Sequence, residues 1–311
     1  MPRILLIGKT GQLGWDLHRT LASLGQVIAP GREQMDLTVP DSIRAAIRTA
    51  APDVIVNAAG FTVVDQAETD PGLVMQVNGT APGILAEEAK RIDALLVHYS
   101  TTFVFDGTKT EPYVESDLPN PVNTYGKTKL AGEQAITSIG GRYIILRASW
   151  SYSHQRVNFA LTILRLARER AELAVVDDQV GTPTWSKAYA ETTAELLGKG
   201  NQVGSNSGIY HLSAAGQTTR YQWARKIIET AQKLSGEKAG WASVRPITTA
   251  ELPLDHSHIS AQRPLYTVMN NSKIKNILGI QMRHWEDELD AFLSDLPATA
   301  LGAGAVPTHR A

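Results

Sequence analysis

Tyr125-Gly126-Lys127-Thr128-Lys129 sets a phenol and an ammonium four residues apart. On a helix, positions i and i+4 share a face, so Tyr125 and Lys129 point the same way. A phenol with an ordinary pKa near ~10 moves protons poorly at neutral pH, and a neighbouring ammonium stabilises its anion and lowers that value. A surface tyrosine and a surface lysine would give the same spacing, so further groups must decide. Gly8-Lys9-Thr10-Gly11-Gln12-Leu13-Gly14 has the spacing G-x-x-G-x-x-G after a short apolar run. Gly8, Gly11 and Gly14 there allow a tight turn and close backbone approach to a pyrophosphate, which the following helix N-terminus also attracts. His98-Tyr99-Ser100-Thr101-Thr102 ends another apolar run, where open α/β sheets bind ligands. Thr101 can donate to a substrate carbonyl or to the tyrosine oxygen. Together the three segments point to hydride chemistry with a nicotinamide cofactor and a tyrosine as proton source.

NAD-preferring folds keep an acidic residue at the end of the second strand for the ribose diol. Here the stretch reads Pro30-Gly31-Arg32. Arg32 could pair with a 2′-phosphate instead, so the expected cofactor is NADPH, with NADH as the alternative. Asp36-Leu37 is expected to close over the adenine, with a turn role for Asp36 as the alternative.

The elements that must position these groups follow from hydrophobic period. Ile4–Ile7 reads as a strand buried on both faces, and Val27–Ala29, Val54–Val56, Ala94–Tyr99 and Tyr143–Leu146 read as further strands. Gly11–Leu24 carries Leu13, Leu17, Leu21 and Leu24 at helical spacing. Ile43, Ala46 and Ile47 line a second helix, a long one is expected from Leu73 to Lys90, and another over residues 122–137. Alternation on short connections predicts an α/β fold, a Rossmann-like doubly wound parallel sheet. After Trp150 the rhythm loosens. Phe159–Arg170, Tyr189–Leu197, Tyr221–Leu234 and His284–Leu293 read as helices and Ile209–Leu212 as a strand. The expected dinucleotide domain is 1–150 plus about 181–214. A smaller C-terminal substrate-binding lobe takes about 151–180 and 215–296. Residues 297–311 have no periodicity and read as a disordered tail.

A formal net charge of −1 over 311 residues offers no basic field for nucleic acid or an anionic membrane. The absence of cysteine excludes disulfides, thiolate catalysis and Cys-ligated metal. Four apolar residues before Gly8 are too few for a signal-peptide core, and nothing approaches a membrane span. The expectation is a cytoplasmic protein acting on a small molecule. His256-x-His258 after Asp255 is the one close histidine pair, in a loop, and is not read as a metal site.

The chain resembles the extended short-chain dehydrogenase/reductase superfamily and, within it, the dTDP-4-dehydrorhamnose reductases. The match runs in order through the glycine loop; Pro52-Asp53-Val54-Ile55-Val56-Asn57-Ala58-Ala59; Val64-Asp65-Gln66-Ala67-Glu68; Val77-Asn78; His98-Tyr99-Ser100-Thr101; Val104-Phe105-Asp106-Gly107; Tyr125 to Glu133; Leu146-Arg147-Ala148-Ser149-Trp150; Asn158-Phe159; Asp178 to Thr184; and Arg263-Pro264. It covers roughly 1–296. The resemblance implies NAD(P)H-dependent reduction of a C4 keto group on dTDP-4-dehydro-6-deoxy-L-mannose to dTDP-L-rhamnose, for cell-surface polysaccharide. It implies Tyr125 as proton donor, Lys129 as its support and ribose ligand, and Thr101 as the group tuning the tyrosine. Gly8, Gly11, Gln12, Leu13, Gly14, Arg32, Asp36, Leu37, Ala58, Ala59, Gly60, Tyr99 and Lys129 would hold the cofactor. Thr101, Thr102, Tyr125, Trp150, Asn158, Gln179 and Arg263 would hold the nucleotide sugar, Trp150 by packing on the sugar and Arg263 by pairing with phosphate.

The chain departs from that pattern at Thr102 and Phe103, where the family usually has aspartate and tyrosine, and at Gly60-Phe61, where Ala-Tyr or Ala-His is common. These changes touch the grip on the sugar and leave the hydride groups intact. Some members form homodimers through carboxylates around Mg²⁺; Asp16 and Glu191 could supply such oxygens, but the full set is not matched and no metal is assigned. The rivals are another nucleotide-sugar enzyme, such as a 4-epimerase or a reductase of a related deoxysugar, and a non-catalytic regulatory subunit. A dehydratase would need an acid pair beside the threonine, and Thr101 and Thr102 are neutral. A regulatory subunit would be expected to lose Tyr125, Lys129 or Thr101, and all three are present.

Overall fold

The computed structural model describes residues 1–237, 239–252 and 261–297. Asp255, His256, His258 and the tail from Ala298 lie outside the described residues. Strand β1 (Arg3–Ile7) shows why the first apolar run is continuous. Ile4 and Leu6 pack with Leu17 and Leu21 on one side, whereas Leu5 and Ile7 pack with Ile43 and Ile47 on the other. A strand covered on both faces has no polar position to spare. β3 (Val54–Asn57), β4 (Leu95–Thr101) and β5 (Tyr143–Ala148) are covered on both faces too, and their buried polar residues, Asn57, His98, Ser100, Thr101 and Arg147, come toward the carboxyl ends. With β2 (Gln26–Ile28) and β6 (Gly208–His211) they form a six-stranded sheet in the order β6-β5-β4-β3-β1-β2. Every pair in it is parallel.

This is the expected α/β doubly wound sheet. The chain leaves β1 toward β2 and then returns to the opposite side of β1 for β3. That reversal opens a crevice at the carboxyl ends of β1 and β3, the usual ligand position in such sheets. Helix Gln12–Thr20 and helix Ser186–Gly198 cover one face, with Tyr189, Ala190 and Leu196 in the same core as Leu17. Helices Pro40–Ala50 and Ala81–Arg91 cover the other.

One expected element differs. Leu73–Lys90 is not one α-helix: helix Pro71–Met75 runs through a π-helical turn, Gln76–Thr80, into helix Ala81–Arg91. The wider turn inserts a residue and rotates the register. It carries Asn78 inward, where the amide accepts from Phe61 N–H at 2.8 Å and donates to Phe61 O at 3.0 Å.

A further apolar core lies beyond Trp150. Tyr152, Ile163, Leu164, Trp223, Ile227, Trp285, Leu289 and Phe292 are buried in it, brought together by helices Phe159–Glu169, Arg220–Ser235 and Trp285–Ser294. Strands Glu172–Val176 and Ser243–Ile247, neither anticipated from sequence, pair in parallel at its edge.

Candidate active site

The glycine loop leaves β1 under tight steric control. Gly8 has a φ of +93°, and a Cβ there would sit 2.8 Å from Ala59 N. A Cβ on Gly14 would sit 1.9 Å from the Gly8 carbonyl oxygen. Gly11 caps the helix and donates to Gly8 O at 2.9 Å. The loop therefore lies directly against Ala58 and Ala59 at the end of β3. Together they border a cavity of about 670 Å³ whose lining includes Gly8, Lys9, Thr10, Arg32, Asp36, Leu37, Ala59 and Gly60. Leu13 instead packs against the sheet core. Gln12 donates from Nε2 to Val157 O at 3.3 Å, and Arg156 donates from Nε to Thr10 O at 2.6 Å. A lobe segment is thus latched onto the loop.

Arg32 is 77% exposed and pairs with Asp36 at 3.4 Å. Asp36 Oδ1 accepts from Thr38 N and Thr38 Oγ1 at 2.8 and 2.7 Å, and these bonds hold its carboxyl below the usual range. Asp36 is therefore a turn residue as well as a cavity residue.

The end of β4 meets the start of helix Thr124–Ile139, which Asn123 caps by accepting from Gly126 N at 2.8 Å. A Cβ on Gly126 would lie 2.1 Å from Phe103 O, so only glycine lets the helix come this close. The approach brings Tyr125 within hydrogen-bonding reach of Thr101. The Phe103 ring meets the Tyr125 ring edge-on, with centroids 5.6 Å apart. Thr101 also caps the turn Thr102–Val104 by accepting from Phe103 N at 3.2 Å. Burial pushes the Tyr125 phenol above its ordinary pKa and the Thr101 bond opposes that shift. Burial is the larger of these two effects, and Lys129 is not among the groups that set the shift.

Lys129 is buried, and its Nζ donates to Tyr99 O at 2.6 Å. Burial lowers its pKa to about 8, with Glu133 opposing. Glu133 lies one turn further on and pairs with buried Arg147 at 2.7 Å. Ser100 also donates to Glu133, so β4, β5 and the helix are tied at one point. Tyr99 serves through its carbonyl: its phenol turns into the core to Thr193.

The expected sugar-contacting residues divide. Thr102 is buried, at 1% exposure. Trp150 adopts a φ of +32°, and its indole lies against Gly181, where a Cβ would come 2.4 Å from Cε2. Asn158 spends its amide locally, accepting from Leu161 N at 3.2 Å and donating to Ser153 O at 2.7 Å. Gln179 donates to Thr249 Oγ1 at 3.1 Å. Arg263 pairs with Asp65 at 2.8 Å. Asp16 accepts from Ser186 Oγ at 2.5 Å and burial raises its pKa. Glu191 borders a separate cavity with Glu195 and Glu288. Among the described residues of this single chain, no group of three His, Cys, Asp or Glu could hold a metal ion.

Arg220 was not read from sequence. Its guanidinium lies 3.7 Å from the Trp150 ring centroid and 5.0 Å from that of Phe159. No ion pair reaches it among the described residues. Burial, with the charge of Arg263, lowers its pKa to about 9. A cation in the first turn of helix Arg220–Ser235 opposes the helix dipole; that mismatch is the signal that could have found it.

The chain matches the family model described as RmlD substrate binding domain over residues 2–297. It is 40% identical over 299 residues to a dTDP-4-dehydrorhamnose reductase of Burkholderia thailandensis, covering 94% of this chain and 99% of that protein. The chain belongs to the dTDP-4-dehydrorhamnose reductase family. The Escherichia coli K12 reductase is 37% identical, with 95% and 98% of the two chains covered. The crystal structure of the Bacillus anthracis reductase in complex with NADP superposes with a TM-score of 0.86 at 30% identity, covering 96% of this chain and all of that one. A UDP-glucose 4-epimerase of Thermus thermophilus in complex with NAD, 18% identical with a TM-score of 0.74, shares the fold.

Proposed function

We propose that the chain reduces the C4 keto group of dTDP-4-dehydro-6-deoxy-L-mannose to give dTDP-L-rhamnose, with NADPH preferred over NADH. The observation that carries this reading is the placing of Tyr125 beside Thr101 at the carboxyl end of β4, with Lys129 one turn away on the same helix. The glycine cradle fits a dinucleotide, because Gly8 and Gly14 leave room only for backbone beside the cavity. Gly8, Gly11, Ala59, Gly60, Asp36 and Arg32 would hold it, and a reduced nicotinamide bound there supplies the hydride. Tyr125 donates its proton to the developing C4 alkoxide, Thr101 orients the phenol, and Lys129 binds the ribose. Burial keeps Tyr125 protonated, which is the form a reduction needs.

The sheet, residues 1–150 with about 181–214, takes the dinucleotide, and the lobe takes the nucleotide sugar. Arg220, with Arg263 nearby, offers the diphosphate a cation that has no carboxylate of its own among the described residues. Arg32 favours NADPH because it borders the cavity and needs only to leave Asp36 to meet a 2′-phosphate. The reading is tested by following NADPH and NADH oxidation with dTDP-4-keto-6-deoxy-L-mannose made in situ. Turnover of that substrate is expected, and its absence with both cofactors would refute the reading.

A further inference from the structure

Arg156 stands in the left-handed region at a φ of +61°, a backbone that residues bearing a Cβ avoid. Its loop is anchored on both sides. Buried Asn158 donates from Nδ2 to Ser153 O at 2.7 Å and to Arg156 O at 3.2 Å. Ser153, also buried, accepts at Oγ from Gln155 N at 3.0 Å. His154 stacks on Phe292 with centroids 4.3 Å apart, and its Nε2 donates to Phe292 O at 2.9 Å. Phe292 belongs to the apolar core beyond Trp150. The loop is thus an extension of that core, and a strained backbone that its surroundings hold so firmly points to a use.

What the loop presents is the Arg156 guanidinium. Its Nε donates to Thr10 O at 2.6 Å, and Gln12 Nε2 donates back to Val157 O at 3.3 Å. Thr10 borders the dinucleotide cavity. The Thr10–Gly11 peptide is held at both ends, because Gly11 N–H donates to Gly8 O at 2.9 Å. This peptide leads into helix Gln12–Thr20. The first N–H groups of a helix have no partner within it, and they are the groups that a pyrophosphate meets.

We propose that Arg156 is a positioning residue through which the lobe completes the dinucleotide site, a role that rests on the reading in which the glycine cradle takes the dinucleotide. Arg156 holds the Thr10–Gly11 peptide from outside the sheet, so the loop meets the pyrophosphate already ordered. A loop ordered before binding costs the ligand less entropy. Arg156 is exposed and a single hydrogen bond is at stake, so the effect is modest. It is equal for NADPH and NADH, which share the pyrophosphate, and in this it differs from the effect of Arg32.

Isothermal titration of the full chain with NADPH, NADH and dTDP, each alone, tests the proposal in Arg156→Gly. Glycine adopts the left-handed backbone without strain, and that relief offsets the entropy it adds to the unfolded chain. The melting temperature should therefore stay within about 3 °C. The Kd of NADPH and that of NADH should each rise ~3–10-fold, and that of dTDP should stay within about twofold. An unchanged Kd for NADPH overturns the proposal. So does a loss confined to NADPH, which would make Arg156 a 2′-phosphate ligand. Parallel weakening of dTDP with a large fall in melting temperature, or a variant that does not fold, would make Arg156 a residue of the fold and overturns it too. NADPH that failed to bind the unaltered chain would sink the dinucleotide reading itself, whereas NADPH bound equally by both chains sinks the role of Arg156 alone.

Discussion

Lys129 Nζ is held by the Tyr99 carbonyl at 2.6 Å, so strand β4 grips the lysine through its backbone while the tyrosine ring is buried on the far side. The lysine is thereby fixed one turn from Tyr125 without a carboxylate bonded to it. This arrangement has a stability cost as well as a chemical use.

Burial lowers the Lys129 pKa to about 8, against ~10.4 in an unfolded chain. The unfolded chain binds the proton more tightly, so folding stability rises with pH between those two values. Below pH 8 both states carry the proton and the full cost is present; above the unfolded value both have lost it and the cost is gone. Lys129→Met should therefore be more stable than the unaltered chain at pH 7 by about 1–2 kcal/mol, after discounting the lost Tyr99 bond. Urea unfolding at pH 7 and pH 10 checks this. The gap should narrow toward pH 10, and a gap that stayed constant would contradict the account.

Arg220 lies on the Trp150 face with no carboxylate among the described residues. Arg220→Met should raise the KM for the nucleotide sugar by ~10–100-fold, the loss of a charge-assisted bond to phosphate. Affinity for NADPH should stay within about twofold. The melting temperature should change little, because the cation removed is only half-buried and pairs with no carboxylate among the described residues. Equal weakening of cofactor and sugar binding would place Arg220 elsewhere.

Arg32 pairs with Asp36 across an exposed edge of the dinucleotide cavity. Such a surface pair contributes little to stability, so the arginine is free to serve a phosphate. Arg32→Ala should weaken NADPH by about 10-fold in Kd and leave NADH nearly unchanged. Isothermal titration with both cofactors measures it, and equal loss for both would remove the 2′-phosphate role.

Local chemistry was legible in the sequence where backbone sterics dictate the residue. Gly8, Gly11 and Gly14 could be read because a Cβ at Gly8 or Gly14 would strike backbone. Tyr125 and Lys129 could be read because helical spacing fixes their common face. The π-turn at Gln76–Thr80 could not, since one inserted residue leaves the apolar pattern of Leu73–Lys90 almost unchanged while it turns Asn78 inward. Strand pairing between Glu172–Val176 and Ser243–Ile247 joins segments about seventy residues apart, beyond any local signal. Asn158, expected at the sugar, also caps a helix with its amide, a role that serine, threonine, aspartate and asparagine share and that spacing alone does not separate from ligand binding. Arg263 finds Asp65 across the fold, a contact set by topology.

The central claim is that Tyr125, beside Thr101, delivers the proton. Its most direct test is Tyr125→Phe, assayed for NADPH oxidation with dTDP-4-keto-6-deoxy-L-mannose and for NADPH binding. The account predicts a fall in kcat of ~10²–10⁴-fold, the usual size of a lost general acid, with NADPH affinity within about twofold because the ring and its contact with Phe103 remain. A variant that turned over at the rate of the unaltered chain would contradict it.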